Sequence, residues 1–351
     1  MTDFTSFFNH IKSIETDYSA TFAFNNCNIR ISANSKNVVD TLNTYFKKWK
    51  ADSETQVDHD ICAYEVDVPD INLDFKDYIT PGKSKVKESS VETEFGILIR
   101  KNRTGMHFIE NEGKHYVFGP ISSFTNQIIN YAGALYMQHM LDENTQLFHA
   151  AAVAKNNEGI VIAAPSGKGK STTALNLLNE GLDFVSNDRV MLSKENNNYV
   201  LHGVPKYPRV NPGTLLNNDK LKHLLSNPTK YEKMSREELW QWEEKHDVFL
   251  EPIYGKNVYK LSAKAKALLI IDWGDSEATL QLEQINLQDH PSLLPEIMKL
   301  PALYTPKALA SKLNFRERDY IDFIAELPVF RLHGNIDQKK GVELIVDKFF
   351  S

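Results

Sequence analysis

Apolar and polar residues alternate through NCNIRISA, HDICAYEVDV, EFGILIRKN and GKHYVFGP, all within the first 120 or so residues. Alternation of period two gives a strand one buried and one solvated side, so each stretch predicts a short strand and the first third predicts a sheet-rich unit. Pro81-Gly82, inside a mixed-charge run, marks a solvated loop between the second and third of these segments. From Ser122 to about Leu141 the period lengthens. Phe124, Ile128, Ile129, Ala132, Leu135, Tyr136 and Met140 fall at three-to-four spacing, which predicts a helix with an apolar face.

The second half opens with LFHAAAVAKNNEGIVIAAPSGKGKSTTALNLLNEG. Two apolar runs flanking Asn156-Asn157-Glu158-Gly159 predict a hairpin, and Ser171 to Glu180 predicts a helix that Gly181 ends through a left-handed residue. LDFVSND returns as a strand, and VMLS with VLHGV predicts a further hairpin. Residues 212 to 250 are polar with helical pieces, one of them opened by a capping box of Ser235 and Glu238. KAKALLIIDWG reads as a buried strand and VELIVDKFF as a helix or final strand. This order predicts a mixed α/β nucleotide-binding core preceded by a smaller α+β unit. The expected division is residues 1–121 as a sheet-rich accessory or substrate-recognition domain, 122–147 as a linking helix and 148–351 as the catalytic domain.

Charge narrows the partners. Lys+Arg 40 against Asp+Glu 46 gives −6, which argues against a chain-wide nucleic-acid surface but leaves room for local cationic sites facing phosphate. The beginning of the chain lacks a basic flank followed by a long apolar core, and no run reaches membrane-spanning length, so the expectation is a cytoplasmic protein without a membrane partner. Cys27 and Cys62 lie far apart with no metal-type spacing; they read as reduced structural side chains, with a disulfide between them as the alternative.

Candidate chemistry concentrates at Ala164-Pro165-Ser166-Gly167-Lys168-Gly169-Lys170-Ser171, an apolar strand running through a glycine-bearing turn into a helix. Gly167 and Gly169 let backbone amides face a polyphosphate, and the helix adds its unpaired N–H groups and positive dipole end. Lys170 supplies a charge for the β- and γ-phosphates of a nucleotide such as ATP, and Ser171 an oxygen for Mg²⁺, with Pro165, Ser166 and Thr172 completing the lining. Ala164 stands where this P-loop, or Walker A, pattern begins with glycine, and it fits if its φ is negative. Lys168 either touches phosphate or projects into solvent. Asp188 ends the next predicted strand and is the metal candidate, with capping of the following turn as the other use. Asn187 beside it has no carboxylate to act as base. His149 is either a satisfied core histidine or a proton-transfer group at the phosphate end of the sheet. Arg209, in a proline-stiffened basic segment with Lys206, is a candidate clamp on a transferring phosphoryl group. Lys245, Asp247 and Arg331 carry no local signal above ordinary charged surface residues.

Residues 148 to 192 resemble the catalytic half of bacterial HPr kinase/phosphorylase, and more closely the HPr-kinase-related proteins that share its P-loop domain. His149, the Ser166-to-Ser171 loop and the Asn187-Asp188 pair carry the resemblance, in that order along the chain. It implies a phosphoenolpyruvate carboxykinase-like P-loop fold, ATP and Mg²⁺ as cofactors, roles in catalysis for His149, Asp188 and the loop that carries Lys170, and assembly into a homo-oligomer; the further catalytic candidate, Arg209, stands on its own basic segment. Asn187 stands where those enzymes carry the first of two acids, and Thr172 where they carry glutamate. The resemblance therefore points to a related kinase that phosphorylates a hydroxyl on a different acceptor, a small molecule or peptide. The alternative is a nucleotide-binding regulatory NTPase with little or no acceptor phosphorylation.

Overall fold

The computed structural model describes residues 3–78, 86–141, 144–196, 198–242, 244–300, 304, 309, 313 and 315–351. The loop expected at Pro81-Gly82 lies outside them. Two compact units form, Met1–His139 and Met140–Ser351. Both are mixed α/β, and among the described residues no helix is long and apolar enough to cross a membrane.

The N-terminal unit is a nine-stranded sheet built from β1 (Tyr18–Phe24), β2 (Cys27–Ala33), β3 (Lys50–Ala51), β4 (His59–Glu65), β5 (Lys76–Tyr78), β6 (Glu88–Thr93), β7 (Gly96–Lys101), β8 (His107–Asn111) and β9 (Lys114–Gly119). Its order is β3-β1-β2-β4-β9-β8-β7-β6-β5. Because successive side chains point to opposite faces, β9 sends Tyr116 and Phe118 one way and His115 the other. Helix α1 (Phe4–Ser13) buries Phe4, Phe7, Phe8 and Ile11 in the first face, with Tyr116, Phe118 and Ile109. Asp3 caps it by accepting from the Ser6 amide at 3.1 Å. The opposite face takes helix α2 (Lys36–Tyr45) and helix α3 (Thr125–Met140), where Tyr131 meets Phe108 and Tyr136 meets Phe24. The alternation of the first third predicts neither α1 nor α2.

The C-terminal unit adds β10 (Thr145–Phe148), β11 (Ala150–Lys155), β12 (Glu158–Ala163), β13 (Asp183–Ser186), β14 (Val190–Glu195), β15 (Asn198–Gly203), β16 (Arg209–Val210), β17 (His246–Asp247), β18 (Ser262–Gly274), β19 (Gln281–Ile285) and β20 (Val329–Asn335). The main path runs β10-β14-β15-β18-β12-β11-β13, with β20 also on β18 and β19 on β20. Asn156 and Asn157 both take positive φ in the tight β11–β12 turn, matching a two-residue hairpin with a right-handed twist. β12 lies between β11 and the parallel β18, and its C-terminal end leads through the loop into helix α4 (Lys170–Asn179). The segment left open as helix or strand is a helix, Gln338–Phe349, and the Ser235–Glu238 capping box is present.

Candidate functional site

Between β12 and α4 the chain turns through two left-handed glycines, Gly167 (φ 78°) and Gly169 (φ 92°). Ala164 is buried and is not among the positive-φ residues, so its methyl group is no obstacle to the turn. Gly169 is packed closely, since a Cβ there would lie 2.8 Å from Gln338 Nε2 and 3.3 Å from Trp273 Cζ2, and its φ of 92° would strain any side chain. The Trp273 indole donates to the Lys168 carbonyl at 2.9 Å, and the Lys168 amide donates to the Pro165 carbonyl at 3.0 Å. The loop is thus braced from β18 and the C-terminal helix while α4 points its N-terminus into a cavity of about 650 Å³. That volume falls in the range of small-ligand sites.

His149, Pro165 to Thr172, Asp188 and Arg209 all line this cavity, joined by Thr214 from helix α5 (Pro212–Leu216), Lys245, Asp275 and Gln338. Ser171 Oγ donates to Asn187 Oδ1 at 2.8 Å, and the Thr172 and Thr214 hydroxyls meet at 3.0 Å. The Lys170 ammonium lies 3.5 Å from the His149 carbonyl. Burial pushes it down to about 8, with Asp188 opposing the shift and Lys299 adding to it.

Asp188 sits at φ 75°, an uncommon backbone for a residue with a side chain and one that costs energy. The turn that imposes it is locked by Ser186 Oγ, which donates to the Arg189 carbonyl and accepts from the Val204 amide. The Asp188 carboxylate faces His149 Nε2 at 3.4 Å, Arg189 Nε at 3.7 Å and Lys299 Nζ at 3.8 Å. Burial favours its neutral form, but the hydrogen bond from His149 and the charges of Lys299 and Arg189 outweigh this and hold it well below the usual carboxylate range. Ser171 and Asp188 bring a hydroxyl and a carboxylate to the cavity, oxygen donors of the hard kind that suits Mg²⁺, while Asn187 accepts from the Ser171 hydroxyl.

Lys299 has no signal in the sequence. It arrives because Phe148 bridges Met298 and the His149 amide donates to the Ile297 carbonyl at 2.9 Å. Buried Tyr320 fixes this crossing: its hydroxyl donates to the Leu147 carbonyl at 2.6 Å and accepts from the Lys299 amide at 3.1 Å. Of the three charged residues read as ordinary surface, Lys245 lines the cavity and Asp247 pairs with Arg209 at 3.8 Å. Arg331 is bound instead to Asp272 on β18 at 2.6 Å and does not line the cavity. Lys206 does not line the cavity; burial lowers its pKa and Arg189 lowers it further. Cys27 and Cys62 are both free thiols.

No family model matches the chain, and no curated protein matches it. Among solved structures it is similar to the HPr(Ser) kinase/phosphatase from Coxiella burnetii, at 12% identity and a TM-score of 0.30, over 57% of this chain and 86% of that one.

Proposed function

We propose that the C-terminal unit is an ATP-dependent phosphotransferase on a P-loop core of the phosphoenolpyruvate carboxykinase-like type, moving the γ-phosphoryl group to a hydroxyl on a small molecule or peptide. The observation that carries this reading is the His149–Asp188 contact at 3.4 Å on the rim of a cavity whose floor is a glycine-turned helix N-terminus with Lys170. The loop amides and Lys170 bind the phosphates. Ser171 and Asp188 hold Mg²⁺, which when bound neutralises charge on the phosphate oxygens. With Asp188 committed to the metal and to its contact with His149 Nε2, the acceptor hydroxyl gives its proton to His149 and Asp188 orients the imidazole. Lys299, Arg189 and Arg209 offset charge on the transferred oxygens. Met234, Leu239 and Lys245 on the cavity wall contribute to the choice of acceptor.

One observation favours the second reading, a nucleotide-binding regulatory NTPase: Asn187 offers an amide, already engaged by Ser171, at a position suited to a second carboxylate. Incubation with γ-labelled ATP, Mg²⁺ and a panel of hydroxyl metabolites and seryl or threonyl peptides separates the two. Labelled acceptor is expected. Label only in inorganic phosphate supports the NTPase, and label that stays in ATP overturns both enzymatic readings.

A further inference from the structure

The N-terminal unit gathers Cys27, His59 and His139 so that one ligand atom of each lies within 4.8 Å of the others. Cys27 opens β2, His59 opens the neighbouring parallel strand β4, and His139 lies in the last turn of α3. Tetrahedral zinc with sulfur and imidazole ligands has donor atoms about 3.3–3.7 Å apart, so small side-chain rotations close the set.

A second observation concerns His59 itself. Its Nδ1 meets His115 Nε2 at 3.2 Å, and His115 Nδ1 meets the Tyr131 hydroxyl at 3.0 Å. A neutral imidazole carries one N–H and one lone pair. If His115 donates to Tyr131, it must accept from His59 Nδ1, which leaves His59 Nε2 as a bare lone pair. That nitrogen is buried and has no hydrogen-bond partner. A buried lone pair without a donor is costly, and a metal ion answers it. The His59–His115–Tyr131 chain is the kind of outer support that fixes the tautomer of a metal-binding histidine. Asp58, whose carboxylate accepts from the Asn28 amide at 2.7 Å, adds negative charge close to Cys27 and His59.

We infer that Cys27, His59 and His139 form a zinc-binding site, with Cys27 bound as the thiolate and one coordination position left for water. Binding exchanges the Cys27 thiol proton for the cation, so affinity rises with pH. The site is independent of the phosphate chemistry proposed above and ties β2, β4 and α3 of one unit together.

Co²⁺ titration of the full-length protein tests it, because a thiolate–cobalt bond gives a near-ultraviolet charge-transfer band that oxygen ligands cannot produce. One equivalent is expected to saturate the band, and Zn²⁺ to displace it. Cys27→Ala should abolish the band, Cys62→Ala should leave it, and His139→Ala, at the most accessible of the three ligands, should weaken it in a protein that still folds. Tyr131→Phe should keep the band but lower affinity by about 10-fold or more. Absence of the band in folded wild-type protein overturns the site. So does a band that survives Cys27→Ala or is unchanged in His139→Ala.

Discussion

The phosphate loop at Ala164–Ser171 takes its form from one unbroken segment, whereas the charged rim around Asp188 is assembled from four: His149, the Asn187–Arg189 turn, Lys299, and Tyr320 beneath them. The loop works mainly through backbone amides set by two glycine dihedrals, to which the Lys170 ammonium adds a charge. The rim works through a balance of charges, and one substitution upsets it. The difference teaches that ligand affinity and chemical competence can fail separately in this protein, since one depends on local conformation and the other on long-range pairing.

The largest expected effect breaks the rim and spares the loop. Asp188→Asn should lose metal-dependent phosphoryl transfer altogether while ATP still binds; a Mg²⁺ titration of single-turnover transfer checks it, and unchanged metal dependence would remove Asp188 from the role proposed. His149→Gln should retain ATP binding and slow acceptor phosphorylation about 10²- to 10⁴-fold. Thermal unfolding of the same preparation shows whether transfer per folded molecule has changed. If activity simply tracks the folded fraction, His149 is a core residue.

Tyr320→Phe sharpens the contrast further, because it touches only the frame that delivers Lys299. Loss of the hydroxyl removes its hydrogen bonds to the Leu147 carbonyl and the Lys299 amide, a cost of about 1–3 kcal/mol in denaturant unfolding. Phosphoryl transfer should fall with unchanged ATP affinity, and an equal fall in both would merge the two regions. The smallest effect is a pH dependence. Lys170 holds phosphate as an ammonium, so ATP affinity should decline as pH rises through about 8, seen by calorimetry between pH 7 and 9. In the unfolded chain the same lysine keeps its proton up to about 10.5, so across that interval the unfolded state binds more protons and stability rises with pH. Lys170→Met should flatten that rise.

What the sequence discloses follows the same division. The glycine loop, the Asn156-Asn157 turn and the Ser235–Glu238 box are short-range patterns whose residue types are chosen by local backbone geometry, and each is visible without a fold. Helix α1 was equally visible in the spacing of Phe4, Phe7, Phe8 and Ile11, but a reading of the first third as alternating strands passes over it. Lys299, Trp273 and Gln338 could not be found this way. Their roles arise from a strand bridge, a long parallel strand and a helix start meeting the loop from elsewhere in the chain, and nothing in their immediate neighbours encodes those meetings. The Cys27 group is hidden for the same reason: its ligands come from two strands and a helix, without the short spacing that announces a metal site.

Trp273 also gives the protein its own optical gauge. Its indole is 2% exposed, lies between Gly169 and Gly341, and shares its N–H with the carbonyl of Lys168. Any rearrangement of the loop around an anion alters the polarity and hydrogen bonding felt by that ring, and with them its emission. The chain has four tryptophans, so replacing Trp49, Trp240 and Trp242 with phenylalanine leaves a single fluorophore whose signal comes from the floor of the cavity. Occupancy can then be followed in real time without a labelled ligand and without knowing the acceptor.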